Sequence, residues 1–123
     1  PGRSVNEHRT IIIEAHYDSR CTDLCDLECD APGAEDNGSG SVLVLELART
    51  LSKYTFDNTL VFMLTTGEEQ GLLGAKAMAQ YCADKDVAIK AVLNNDVAWL
   101  GRSNFSTRKN CGPKLQCPPP LRS

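Results

Sequence analysis

Thr10-Ile11-Ile12-Ile13-Glu14-Ala15, leading directly into His16-Tyr17-Asp18, is the stretch that decides the fold. Its β-branched, apolar run reads as a buried strand, because branched side chains suit a pleated surface and the segment is too short for a helix. Leu60-Val61-Phe62-Met63-Leu64 repeats the pattern after the turn-prone Asp57-Asn58, and Ile89 to Leu93 makes a third such run. Between the first two, the apolar positions Val42, Leu43, Leu45, Leu47, Ala48 and Leu51 fall at helical spacing across residues 41–52. Between the second and third, residues 71–83 are rich in Leu, Ala, Met and Lys and read as a second helix. Strand, helix, strand, helix, strand with near-continuous apolar strands is the pattern of an α/β fold. It implies a mostly parallel sheet with helices on both faces, joined by right-handed crossovers.

The rest of the chain narrows the class. It has 123 residues with a formal net charge of −3, 41% hydrophobic and 24% charged, which are ordinary figures for a globular domain. The length allows one core. No apolar run approaches the ~20 residues of a membrane span. Mild acidity argues against a dedicated nucleic-acid binder, which would present a basic face. The chain starts at Pro1 without an initiator Met, and we expect a processed form or a piece of something longer. Residues 101–123 are basic and Pro-rich, and are expected to form an irregular tail to a core spanning residues 1–100.

Charge is spread unevenly. Residues 14–37 hold eight acids and one base, Arg20, and the segment from 19 to 40 reads as a long loop. An acidic block is usually a solvated loop. This one also contains His16 and runs into the glycine-rich Asp36-Asn37-Gly38-Ser39-Gly40, and carboxylates gathered near an imidazole repel one another unless a cation sits among them. The six cysteines include Cys21, Cys25 and Cys29 at four-residue spacing, with Cys111 and Cys117 near the end. Their even number suits disulfides in an oxidising compartment, with 15 pairings open. A thiolate zinc site on the first three is the rival, although their spacing matches no common zinc module.

In an open parallel sheet, ligands bind beyond the carboxyl ends of the strands. Three strand ends reach that rim with His16-Tyr17-Asp18, Thr65-Thr66-Gly67-Glu68-Glu69 and Asn94-Asn95-Asp96, and the first loop adds Asp36. Each piece alone has a plain structural explanation. Asp36-Asn37-Gly38 is a turn signal, and Thr66 with Glu69 fits a helix capping box. Their joint placement is what points to metal and acid/base chemistry.

Ala15-His16-Tyr17-Asp18-Ser19, Ala31-Pro32-Gly33-Ala34-Glu35-Asp36-Asn37-Gly38-Ser39-Gly40, Gly67-Glu68-Glu69-Gln70-Gly71-Leu72-Leu73-Gly74 and Asn95-Asp96 resemble, in order, the motifs of the zinc aminopeptidases of peptidase clan MH. The resemblance runs from about Thr10 to Val97. It implies a three-layer αβα zinc-peptidase core, incomplete here, in a secreted or periplasmic enzyme that removes N-terminal residues from peptides with a free N-terminus. By that resemblance His16 and Asp96 bind one zinc, Asp36 bridges it to a second, and Glu69 binds the second. Asp18 holds the His16 ring in its ligating tautomer. Glu68 is the general base toward a water that the metals make acidic.

The chain departs from the pattern in one respect. The family completes its second zinc site with a downstream histidine, and no His follows His16 here. His8 lies eight strand residues away, roughly 26 Å. One zinc or two is therefore the expectation, in a chain that is truncated or divergent after Trp99. Two other classes share the fold: a non-catalytic zinc-binding or interaction module, and a glutaminyl cyclase-like enzyme with one zinc.

Overall fold

The computed structural model describes residues 9–23, 26 and 28–97. The readings of His8, Cys25, the Cys111–Cys117 segment and the Pro-rich tail lie outside the described residues. Strand β1 (Thr10–His16) is central, with β2 (Thr59–Thr65) on one side and β3 (Ile89–Asn94) on the other, all parallel. Helix α1 (Gly40–Leu51) joins β1 to β2, and α2 (Leu73–Asp84) joins β2 to β3. The order β2-β1-β3 follows from two crossovers running in opposite directions, which right-handedness sends to opposite faces of the sheet. The expected α/β architecture stands, with each element displaced by no more than two residues.

Alternation along β1 sorts its residues. Ile11, Ile13 and Ala15 turn to one face, where Val44, Leu47 and Leu51 of α1 and Phe62 of β2 pack against them. Ile12 and His16 are buried on the other. Because β1 alone has neighbours on both edges and both faces, its sequence tolerates almost no polar residue. β3 differs from that expectation: Val92 is 50% exposed and Leu93 53%, despite the apolar run. It is an edge strand in the described sheet, so its side chains lack the cover that β1 enjoys.

The pairing register brings the strand ends to one rim. His16 is opposite Thr65, and Glu14 is opposite Asn94, after which the Asn95 N–H donates to the Glu14 carbonyl at 2.8 Å. Between β1 and α1 the chain makes a distorted helical turn, Ala34–Ser39, in place of the featureless loop expected there. The turn is interrupted at Asp36 and Asn37, whose dihedrals are not helical and whose joining peptide is cis. Gly40 then starts α1 so close to the β3 exit that a Cβ would collide with the Asn95 carbonyl and the Asn37 amide. The glycine is required by proximity, its own φ of −65° being open to any residue.

The cysteines divide as well. Cys21 and Cys29 form a disulfide with a Cα–Cα separation of 6.2 Å, and Cys82 is a free buried thiol on α2. With both sulfurs bonded to each other, the thiolate zinc alternative is removed for this pair.

The core assignment has a direct consequence. Ile13→Ala should lower stability by about 2–5 kcal/mol, the usual cost of truncating a buried isoleucine. Leu93→Ala should cost well under about 1 kcal/mol. Urea denaturation followed by circular dichroism measures both.

Candidate metal centre

His16 is the last residue of β1 and is only 3% exposed, so its ring cannot rely on water. Its Nδ1 lies 3.0 Å from the Asp18 backbone carbonyl. A carbonyl only accepts, so Nδ1 carries the proton and the neutral ring turns the lone pair of Nε2 toward the rim. There Nε2 meets Asp36 Oδ1 at 3.0 Å and Asp96 Oδ1 at 3.3 Å. The three atoms lie within 4.8 Å of one another. Three acceptors converging this closely require a cation between them: a second proton on the imidazole, or a metal ion. One imidazole nitrogen and two carboxylate oxygens suit zinc and similar divalent ions, so the residues present fit the group.

Titration behaviour reflects the same crowding. Burial disfavours the charged His16 ring. The Asp18 carbonyl, the Asp96 carboxylate, and the charges of Glu68 and Asp36 outweigh it and raise the pKa above the ordinary histidine value. Burial also raises Glu68; His16 opposes that rise, while Asp96, Asp18 and Asp36 add to it. Glu68 therefore faces the cluster electrostatically and holds its proton to higher pH than a free glutamate. Glu69 is raised by burial in the same way, with Arg20 lowering it and Asp36 and Glu68 raising it.

Asp18 does two jobs, one of which the sequence did not suggest. Its backbone carbonyl orients the ring, while its carboxylate stands 3.6 Å from Nδ1, beyond hydrogen-bond distance. That carboxylate accepts the backbone N–H of Glu68 at 3.2 Å and of Glu69 at 3.3 Å. It thus clamps the strand-to-helix turn that carries both glutamates. Gly67, at φ +67°, makes this turn possible in a conformation other residues adopt only with strain.

Among the six residues singled out from sequence, His16, Asp36 and Asp96 converge, with Glu68 and Asp18 around them. The Glu69 carboxylate lies apart from the trio and pairs with Arg20, its Oε2 2.6 Å from the guanidinium Nε. Asp36 and Glu69 both line an open cleft of about 510 Å³, together with Arg20, Pro32, Gly33 and Glu35. Asp36 therefore borders both the His16 cluster and the cleft.

Two supporting residues were missed. Asn37 is fully buried and binds three segments at once: Nδ2 donates to the Asn95 carbonyl at 2.9 Å, and Oδ1 accepts from the N–H groups of Gly40 at 2.9 Å and Val97 at 3.2 Å. Asn95 donates through Nδ2 to the Glu14 carbonyl at 3.0 Å. Asn37 sits next to Asp36 and Asn95 next to Asp96, so these amides set where the two carboxylates leave the backbone. The sequence signal was present in Asn37-Gly38 and Asn94-Asn95-Asp96, but it read as turn chemistry.

A buried imidazole facing carboxylates at the rim of a parallel sheet places this chain in the class of α/β proteins with a metal-capable site beyond the strand ends. Comparison with known sequences narrows that class. The profile described as peptidase family M28 matches residues 1–117, and the chain belongs to that family. It is 46% identical over 98 residues to a probable zinc metalloprotease of Pyricularia oryzae, covering 80% of this chain and 19% of the relative. It is 39% identical over 120 residues to a probable zinc metalloprotease of Pyrenophora tritici-repentis, covering 96% and 25%. A probable zinc metalloprotease of Leptosphaeria maculans is 39% identical over 94 residues, covering 76% and 22%. The chain thus spans between a fifth and a quarter of the length of these relatives.

Metal uptake at Nε2 must compete with the proton that Asp36 and Asp96 attract there. Because the His16 pKa is raised, this competition extends above the ordinary value of ~6.5. Zinc affinity should therefore rise with pH through and beyond that value, and proton release on binding should shrink as His16 deprotonates. Calorimetric titration in buffers of different ionisation enthalpy measures both, and His16→Ala should abolish the pH dependence along with tight binding.

Proposed function

We propose that this chain carries the metal-binding and proton-transfer side of a zinc-dependent aminopeptidase site. The observation that supports this most is the convergence of His16 Nε2, Asp36 Oδ1 and Asp96 Oδ1 within 4.8 Å at the rim that Glu68 faces. Membership of peptidase family M28, and relatives named probable zinc metalloproteases, support peptide hydrolysis and zinc. His16, Asp36 and Asp96 would hold one zinc, and Asp36 with Glu69 would offer a weaker second position. Bound there, zinc polarises a peptide carbonyl and lowers the pKa of a water.

The chain's own residues do the remainder. Glu68 takes a proton from the attacking water and returns it to the departing amine nitrogen. Its raised pKa brings it closer to neutrality, where a base that must also act as an acid works best. Asp18 keeps Glu68 in place through the turn N–H groups. The cleft bordered by Glu35, Asp36 and Glu69 has the charge to receive a substrate's free α-ammonium group, which favours an aminopeptidase over an endopeptidase. The Cys21–Cys29 disulfide supports an oxidising compartment, secreted or periplasmic.

The zinc-loaded chain, offered leucine p-nitroanilide and its N-acetylated counterpart, should hydrolyse only the first. Glu68→Gln should lose about 10²–10⁴ in rate while its zinc content stays that of the native chain. Absence of hydrolysis, equal rates on the two substrates, or an undiminished Glu68→Gln enzyme would each overturn the reading.

A further inference from the structure

We infer that Arg20 is the built-in counter-cation of the Glu69 carboxylate, and that it competes with a second metal ion for that carboxylate. The two metal positions then load unequally, the His16 position first. The inference rests on the zinc reading above for the identity of the competitor. The ion pair that carries it is a feature of the fold.

The Arg20 Nε atom lies 2.6 Å from Glu69 Oε2, and the Glu69 side chain is only 12% exposed. Asp36 and Glu68 both act on Glu69 with like charge, while Arg20 and, less strongly, His16 oppose them. A carboxylate this buried among acids stays ionised only beside a cation, and a guanidinium meets that need without any ion from solution. The backbone under Glu69 is fixed through its N–H to Asp18, so a metal arriving in the cleft finds the carboxylate held and already paired. Arg20 is held in turn, because its neighbour Cys21 is tied to Cys29 and both Arg20 and Cys21 line the cleft.

The His16 position differs in kind. The cationic group facing Asp36 and Asp96 there is the imidazole itself, so metal entry displaces at most a proton. Entry at Glu69 must displace a charge-assisted hydrogen bond from a side chain that cannot lose its charge. Selective weakening of the second position follows.

The test is calorimetric zinc titration of the native chain, Arg20→Gln and Arg20→Lys at one pH. The first equivalent should bind alike in all three. The second should tighten by about tenfold in Arg20→Gln, the worth of one partly exposed charged hydrogen bond, and should stay near the native value in Arg20→Lys, which keeps the competing charge. A second equivalent that appears only in Arg20→Gln supports the inference equally. A second equivalent that is unchanged or weaker in Arg20→Gln, absent from all three, or altered alike by both substitutions overturns it. In those cases normal binding of the first equivalent leaves the zinc reading standing. Failure of the native chain to bind even one equivalent overturns the zinc reading and the role of Arg20 with it.

Discussion

Three electron-rich atoms, His16 Nε2, Asp36 Oδ1 and Asp96 Oδ1, are held closer together than their own charges favour, on a ring that is almost wholly buried. The rest of the described structure works to hold them there. The tautomer is set by the Asp18 carbonyl, which leaves Nε2 no proton of its own in the neutral ring. The two aspartates come from segments 60 residues apart, and the Asn37–Asn95 hydrogen bond beside them ties those segments together. Such an arrangement is unfavourable without a cation and favourable with one, which is the electrostatic definition of a cation site.

The same logic runs one step further out. Glu68 and Glu69 are neighbours on one turn, and both have N–H groups held by a single carboxylate, that of Asp18. Their side chains nevertheless belong to different surroundings. Glu68 is coupled to the His16 cluster, while Glu69 reaches Arg20 and the cleft. Consecutive residues leaving a strand project in different directions, so one turn supplies a proton carrier to one place and a paired carboxylate to another.

β1 explains why the site is where it is. As the central strand it carries the most buried side chains, and its last residue is the imidazole; the polar ends of β2 and β3 are brought alongside by parallel pairing. In an order of β2-β1-β3, the chain reverses its direction of travel across the sheet beside β1, and a crevice opens at that point beyond the strand ends. The apolar run of residues 10–15 and the chemistry of residues 16–18 are thus two halves of one device, a rigid beam and the group mounted on its tip.

Much of this was determined by local sequence alone. Branched apolar runs specify strands, 3.6-residue spacing specifies α1, and the polar residues that end each strand announce a rim, because these signals depend only on near neighbours along the chain. His16, Asp36, Glu68 and Asp96 were legible as a set for that reason, and the recurring motifs around them sharpened it. Tertiary structure decided the rest. The exposure of Val92 and Leu93, the buried bracing role of Asn37, the division of labour within Asp18, and the pairing of Glu69 with Arg20 all depend on partners distant in sequence. A polar side chain in a turn-forming stretch has the same sequence signature whether it faces water or a segment 60 residues away. Only packing the chain selects between those partners, because burial and hydrogen bonding are properties of the space around a residue, and that space is built by the whole fold.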